Sequence, residues 1–270
     1  MNRHFRHVRP SDVTPALTAL FNPNDPTIFR LFAVLDGRAA GRIVTDDLAH
    51  PTWGVVQEMG DGLTYLDGAI DLALVSDVIT AFHADGDVCV GLWPDDPRRE
   101  LLPRDPDYAG STFDFLHRRR DGDRLAGLAR RLPEGCQLRP IDRALVERCA
   151  WRDHQISVYG NIDGFFAHGL GYCVMQGDDI LSEAYAGPAA RGMMEIGVYT
   201  HQGSRERGFA TIACAQVIAA CEVRGYQTYR NCNTSNLASA ALARKMGYQT
   251  EKEYALVAWF KKVRQPDPDK

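Results

Sequence analysis

One segment in the C-terminal half constrains the fold more than any other, because a strand, a glycine-containing turn and a helix follow one another directly. The strand pattern is Glu195–Thr200, the turn is Arg205–Thr211, and the small-residue helix is Ile212–Val223. The first N–H groups of a helix have no partner inside the helix, and its dipole adds partial positive charge, so this arrangement can bind an anion. Gly208 and Ala210 would let a phosphate approach the backbone. Glycine and arginine also occur together in ordinary surface turns.

A second strand and helix follow at short distance. Tyr226–Cys232 has the composition of a buried strand, Asn233–Asn236 is a polar turn, and Leu237–Met246 is predicted as a helix. Gly247 lies where glycine commonly ends a helix, and Tyr248 begins another strand pattern. The order of these elements predicts an α/β arrangement.

These motifs together resemble the GNAT N-acetyltransferase superfamily. The resemblance rests on Arg-x-x-Gly-x-Ala, the helix and strand after it, then Asn-x-x-Ser and Lys-Met-Gly-Tyr, and it covers about Leu138–Lys261. The eleven positions from Asn236 to Gly247 also agree with the family. The phrases GDDILSEAYAG, EIGVYT and RERGFAT look most like the subgroup of zwittermicin-resistance-type acetyltransferases, which carry an extra N-terminal domain. The resemblance implies an α/β (α+β) fold: a GNAT-like mixed sheet flanked by helices, preceded by a smaller α/β domain.

The resemblance also implies acetyl-CoA as the acyl donor. In the family, the strand before the turn frees backbone groups for the pantetheine arm and the thioester, and the turn holds the pyrophosphate. Polar residues at the start of the next helix would contact the cofactor or simply cap that helix. The residues implied to contact acetyl-CoA are Val198, Tyr199, Thr200, Arg205, Arg207, Gly208, Phe209, Ala210, Thr211, Asn236 and Ser239.

Acetyl transfer from a thioester to an amine needs few protein groups, chiefly correct positioning and a base that keeps the amine neutral. Glu195 is the first candidate for the base, because it lies on the strand of the expected thioester site; a paired or solvated glutamate at a strand start is the alternative interpretation. Glu183 is the second candidate. His154 and His168 are further alternatives.

One position departs from the family pattern. Many members carry a tyrosine seven residues after the asparagine, where it protonates the departing thiolate, and Ala243 occupies that position here. Tyr248, Tyr254 or a water could replace it, or the thiolate could leave unassisted. Two functions therefore stay open. One is an acetyl-CoA-dependent N-acetyltransferase that acts on a primary amine of a small molecule or peptide by direct attack in a ternary complex. The other is a non-catalytic acyl-CoA-binding or regulatory module.

The first part of the chain predicts an α/β segment without a catalytic motif. Asp36-Gly37 separates two apolar runs, so we expect a β-hairpin there. The predicted helices are Val13–Leu20, capped by Ser11 or Asp12, and Leu72–His83, and the predicted strands are Phe29–Leu35, Gly41–Thr45, Thr52–Glu58 and Asp87–Leu92.

We place a domain boundary near Arg131–Gly135, which gives an N-terminal domain over residues 1–133, a transferase domain over 134–264 and a frayed tail over 265–270. The N-terminal domain would wall the acceptor site, with the loop Trp151–His168 opposite, or would serve dimerisation. In the transferase domain we predict strands Cys136–Pro140, Tyr172–Met175, Ile180–Ala186 and Tyr254–Lys261 and a helix Asp142–Cys149.

Charge and composition restrict the partners. The net charge of −4 gives no general attraction to nucleic acid or to an anionic membrane, and no apolar run approaches the ~20 residues of a membrane span. Seven cysteines without a Cys-x-x-Cys pair predict free thiols in a reducing cytoplasm, and scattered histidines give no metal site. We expect a cytoplasmic monomer or homodimer whose partner is a small-molecule amine, with the subgroup resemblance suggesting an amine-bearing antibiotic. The acidic residues that would suit a cationic amine are Asp153, Asp163, Asp178, Asp179 and Glu183.

Overall fold

The computed structural model describes residues 5–116, 118–119 and 121–261, which form two compact units. The described residues of the first unit are 5–113, 233–236 and 253–261, and those of the second unit fall within 114–232 and 237–252. The domain boundary near Arg131–Gly135 stays a prediction, and the described residues between 114 and 133 fall within the second unit. The tail predicted over 265–270 lies outside the described residues.

A four-stranded antiparallel sheet forms the centre of the first unit, and its neighbouring strands follow chain order. A helix over Leu72–His83 buries Leu74, Val78 and Phe82, spaced four residues apart, into the core of this unit. The elements are β1 (Arg6–His7), α1 (Pro15–Thr18), α2 (Ile28–Leu35), β2 (Gly41–Thr45), β3 (Trp53–Glu58), β4 (Thr64–Gly68), α3 (Leu72–His83) and β5 (Val88–Leu92), with β5 antiparallel to the end of a final strand β12 (Gln249–Trp259).

The strand predicted over Phe29–Leu35 is wrong, because this run is helix α2. An apolar run of seven residues fits a buried strand or a buried helix equally well by composition. Backbone hydrogen bonds decide the matter, because helical i to i−4 bonds such as that from the Asp36 N–H to the Phe32 carbonyl, at 2.8 Å, are present. The predicted hairpin at Asp36-Gly37 is therefore also absent, and β2 pairs with β3 instead.

The second unit contains five neighbouring strands of one sheet, in the order β7 (Cys136–Pro140), β8 (Leu170–Gln176), β9 (Asp179–Ala186), β10 (Met193–Thr200) and β11 (Gln227–Asn233), with β10 and β11 parallel and the other neighbours antiparallel. A long helix, α8 (Phe209–Val223), packs against β8, β9 and β10. The remaining elements are β6 (Tyr108–Leu116), α4 (Gly122–Ala129), α5 (Arg143–Val146), α6 (Arg152–Tyr159), α7 (Ile162–His168) and α9 (Leu237–Lys245).

Several further predictions need correction in extent or type. The first helix is confined to Pro15–Thr18 and is capped by Thr14, which accepts the Leu17 N–H. The helix predicted over Asp142–Cys149 ends at Val146, with Asp142 as its N-cap. The region Trp151–His168 is not a loop. It forms α6 and α7, which are separated where Gly160 adopts a left-handed backbone, at φ 79°.

The predicted mixed α/β fold class is confirmed. No helix among the described residues is both long and apolar enough to cross a bilayer. All seven cysteines are present as free thiols.

Candidate active site

Strands β10 and β11 run side by side for only part of their length. Met193–Glu195 pairs with Gln227–Tyr229, whereas β10 continues to Thr200 and β11 to Asn233. On its other edge, β10 stays paired with β9 as far as Thr200. The N–H and C=O groups of β10 that face β11 beyond Glu195 therefore have no ladder partner in β11, and they can bind an extended ligand.

Glu195 lies at the point where these two strands part. Its Oε1 accepts a hydrogen bond from Asn231 Nδ2 at 2.7 Å, and Asn231 lies two residues beyond Tyr229, the ladder partner of Glu195. The glutamate side chain is half-buried. A carboxylate has about four lone-pair positions, so the bond from Asn231 leaves Glu195 able to accept a proton.

The turn after β10 exposes the N-terminus of α8. Glu206 and Gly208 both have left-handed backbone, with φ of 63° and 83°. Gly208 is the N-cap, and no side chain caps the helix. A Cβ built on Gly208 would meet no atom within 4 Å, and no acceptor in the described parts of the chain binds the N–H groups of Phe209–Thr211. The approach to this helix N-terminus is thus open, as an anion would require.

Two arginines lie beside this helix N-terminus, and each is held by a local contact. Arg205 Nε donates to the Thr200 carbonyl at 3.2 Å, and the Arg207 guanidinium lies 4.9 Å from the centre of the Phe209 ring. Both side chains are exposed. The contacts keep the two positive charges near the open N–H groups, where they add to the helix dipole.

The face of β10 that carries Glu195 also carries Gly197 and Tyr199, since alternate residues of a strand share a face. Opposite these two residues in β9 lie Tyr185 and Glu183. A Cβ added to Gly197 would lie 2.4 Å from the Tyr185 ring, so the tyrosine covers the glycine closely. This face of the sheet is therefore aromatic beyond Glu195.

Trp151 and His154, from the start of α6, lie over the same face. The Trp151 ring centre is 5.2 Å from that of Tyr185, 6.5 Å from that of Tyr199 and 5.0 Å from that of His154. We call these four side chains, Trp151, His154, Tyr185 and Tyr199, the aromatic wall. Tyr185 is buried and the other three are half-buried, so the wall can contact a ligand.

Glu183 fixes the position of Trp151. Its carboxylate accepts the N–H of Ala150 at 3.0 Å and the N–H of Trp151 at 2.8 Å, at the start of α6. Glu183 is 1% exposed, and this burial raises the pKa of its carboxyl group, while the two N–H bonds act in the opposite direction. Because backbone donors occupy both oxygens, the geometry favours a positioning role over that of a base.

The raised pKa of Glu183 predicts how stability changes with pH. The folded state binds this proton more tightly than the unfolded state, whose pKa is near 4.5, so the favourable contribution is complete below that value and is lost as the pH rises through the raised pKa. We expect the wild-type protein to lose stability relative to Glu183→Gln as the pH rises from about 4.5 toward neutrality. Urea unfolding of both proteins across this range measures it. If the free energy of unfolding of the wild type instead rose relative to that of Glu183→Gln with increasing pH, the two N–H bonds would affect the pKa of Glu183 more than burial does.

Cys149, Cys173 and Glu183 form a further cluster, whose donor atoms all lie within 4.8 Å of one another. The two thiol sulfurs are 3.8 Å apart. Hydrogen bonding to the Cys173 thiol, together with burial, raises the pKa of Cys149. We interpret the group as hydrogen-bonded thiols beside an occupied carboxylate, and the prediction of no metal stays a prediction.

The structure does not bring the other predicted residues to Glu195. The Tyr248 hydroxyl lies 2.6 Å from Thr228 Oγ1, and Thr228 pairs with Met194, on the opposite face of the sheet from Glu195. Burial raises the pKa of Tyr248. Ser239 Oγ accepts a hydrogen bond from Arg230 at 2.8 Å.

Asn236 and the acidic residues have local surroundings of their own. Asn236 belongs to the first unit, where its N–H donates to the Asn233 carbonyl at 3.0 Å. Asp153 pairs with Arg152 and Asp163 with Arg143, so these two acids do not supply uncompensated charge to a cationic ligand.

Known proteins resemble this chain in sequence and in fold. A family model described as GNAT acetyltransferase matches residues 18–257. The uncharacterized N-acetyltransferase YdfB of Bacillus subtilis (strain 168) is 29% identical over 127 residues, which cover 46% of this chain and 49% of that protein. The chain thus matches about half the length of this curated relative.

Two solved structures have a similar fold. A GCN5-related N-acetyltransferase-like protein from Streptococcus suis 89/1591 matches with a TM-score of 0.74 at 23% identity, covering 93% of this chain and 100% of that one. A tandem GNAT protein from the clavulanic acid biosynthesis pathway matches with a TM-score of 0.59 at 10% identity, covering 97% and 100%. At these identities the likeness concerns the fold alone.

Proposed function

Because this chain belongs to the GNAT acetyltransferase family, we propose that it transfers the acetyl group of acetyl-CoA to a primary amine of a small molecule or peptide, by direct attack in a ternary complex. The observation that supports this most is the parting of β10 and β11 at Glu195. The same strand leads directly into the open N-terminus of α8. A carboxylate, unpaired strand groups and an anion site thus follow one another along a single stretch of chain.

The residues present fit acetyl-CoA as the acyl donor. A pyrophosphate is suited by three features of this turn. They are the open N–H groups at Phe209–Thr211, the N-cap Gly208, which has no side chain to block them, and the two adjacent arginines. The unpaired edge of β10 at Val198–Thr200 suits an extended amide-containing arm, since its backbone groups lack partners in β11. When bound, acetyl-CoA supplies an activated thioester carbonyl.

The chain itself then has two tasks. An aliphatic amine with a pKa near that of lysine, ~10, enters mostly protonated at neutral pH, and Glu195 accepts its proton. Backbone N–H groups along Val198–Thr200 stabilise the negative charge that develops on the carbonyl oxygen. Positioning of both reactants supplies much of the remaining acceleration.

A non-catalytic acyl-CoA-binding module is the second candidate. Ala243 favours it, because this buried residue stands where many family members have a tyrosine acid. Calorimetry with acetyl-CoA, followed by an assay of thiol release against a panel of primary amines, separates the two. Binding without turnover of any amine would favour the module, and the absence of binding would contradict both.

Truncation of each loop arginine tests the pyrophosphate assignment. We expect Arg205→Ala and Arg207→Ala each to weaken acetyl-CoA binding by about 1–3 kcal/mol, the range for charge-assisted hydrogen bonds, or roughly 5- to 150-fold. The loss should shrink in high salt, because both side chains are exposed. Calorimetry at two salt concentrations measures both effects.

Arg224→Ala is the matched control, since Arg224 is the C-cap at the other end of the same helix and donates to the Ala220 carbonyl. Its removal should leave the affinity for acetyl-CoA unchanged. Equal affinities in all three variants would contradict the assignment.

A further inference from the structure

We propose that the aromatic wall binds the acceptor, and that the acceptor carries an aromatic ring next to its primary amine. This inference rests on the proposed acetyl transfer and names the class of amine. An arylalkylamine, or an amine derived from an aromatic amino acid, has the required chemistry.

The first argument is the position of the wall relative to Glu195. Glu195, Gly197 and Tyr199 follow one another on one face of β10, and Gly197, opposite the wall residue Tyr185, lies about 6.6 Å along the strand from Glu195. An amine whose proton passes to Glu195 can therefore place the rest of its molecule against the Tyr185 ring, which covers Gly197, in the direction of Tyr199. A ring attached through a short linker reaches the wall over this distance.

The second argument is the chemistry of the surface between these points. Gly197 offers no side chain, and the Tyr185 ring covers it. On this face of β10 no polar side chain lies between Glu195 and Tyr199. The Tyr185 hydroxyl lies over Gly197 and is a single polar group, too few for a second ammonium group or for the several hydroxyls of an amino sugar, whereas a ring needs no such partner.

The third argument is the orientation of the rings. Trp151 is inclined by 45° to Tyr185, by 43° to Tyr199 and by 74° to His154. The wall therefore presents both ring faces and ring edges, which suits offset and edge-to-face contacts with another aromatic ring. The counter-charge for the ammonium group comes from Glu195, so the wall itself need not bind the cation.

Glu183 fixes the position of the aromatic wall. Its carboxylate accepts a hydrogen bond from the backbone N–H of Trp151, and Glu183 lies opposite Tyr199 in the β9–β10 ladder. The buried carboxylate thus sets the indole beside Tyr199. A loosely packed surface aromatic would have no such anchor.

The test compares matched primary amines: 2-phenylethylamine, 2-cyclohexylethylamine, butylamine, 1,4-diaminobutane and glucosamine. We expect kcat/KM to be highest for 2-phenylethylamine, and Trp151→Ala to raise its KM about tenfold or more, while butylamine changes little. Trp151→Phe should retain most of the selectivity. Phe166→Ala, which removes a half-buried aromatic outside the wall, is the control, and acetyl-CoA affinity should stay constant throughout.

The same amines are also titrated by calorimetry into protein saturated with CoA, so that binding is measured whether or not acetyl transfer occurs. Selective binding of 2-phenylethylamine without turnover would contradict the proposed function and support the wall as a ring-binding site. Equal binding of the aromatic and aliphatic amines, or an equal loss for both in Trp151→Ala, would overturn the inference.

Discussion

Replacing Gly208 with valine is expected to reduce the affinity for acetyl-CoA by at least about 100-fold, while the chain stays folded. Gly208 is the N-cap of α8, and its φ of 83° leaves the first N–H groups of the helix open. A valine there would place methyl groups in the approach to those N–H groups, and a lost set of charge-assisted bonds is worth several kcal/mol in sum. The left-handed backbone costs a further ~1–2 kcal/mol of stability.

Gly225→Val separates these two effects. Gly225 follows the other end of α8 with φ 84°, and a Cβ there would also meet nothing within 4 Å. Both variants carry the same backbone strain, so thermal unfolding should show similar losses. Only Gly208→Val should show a reduced affinity for acetyl-CoA in calorimetry. If both glycine variants bound acetyl-CoA like the wild type, the anion would have to lie elsewhere.

Replacing Glu195 with glutamine is expected to lower kcat for amine acetylation by about 10²- to 10⁴-fold at neutral pH, the usual contribution of a positioned general base. Glutamine can still accept the hydrogen bond from Asn231, so strand geometry and acetyl-CoA affinity should be preserved. The deficit should narrow as the pH approaches the pKa of the amine, ~10, because solvent then supplies the neutral nucleophile. Initial rates from neutral to alkaline pH measure this.

Glu183→Gln is the informative comparison, since Glu183 is the other carboxylate on this face of the sheet. Because it holds Trp151, its loss should raise KM for the amine more than it lowers kcat. The opposite result would be a large fall in kcat and an altered pH profile for Glu183→Gln, with kcat of Glu195→Gln close to that of the wild type. It would make Glu183 the base and leave Glu195 without that role.

The local sequence predicts correctly those helices and strands whose pattern of apolar residues fits only one type of structure. Helix Leu72–His83 and strand Cys136–Pro140 lie where periodicity predicted them, and the turn at Gly208 precedes α8 as expected. The strand predicted over the apolar run Phe29–Leu35 is wrong because the composition suits either structure, and only the backbone hydrogen bonds of the folded chain settle the choice.

The site depends on pairings that local sequence does not encode. Asn231 meets Glu195 across 36 positions, and this requires the parallel register of β10 and β11. Trp151 reaches Tyr199 because Glu183, far from both in sequence, binds its N–H. Such long-range contacts follow from topology, so neither the partner of Glu195 nor the aromatic wall could be read from residue spacing.

The attachment of α6 through Glu183 separates two kinds of evolutionary change. In the proposed assignment, β10 and the start of α8 bind the acyl donor, whereas two of the four side chains of the aromatic wall come from the start of a short helix that one carboxylate anchors to β9. Mutations on the exposed surface of that helix leave the anchor and the anion site intact. If the proposed assignment holds, amine preference can change through substitutions in α6 without altering the acyl-donor site, provided that Glu183 is kept.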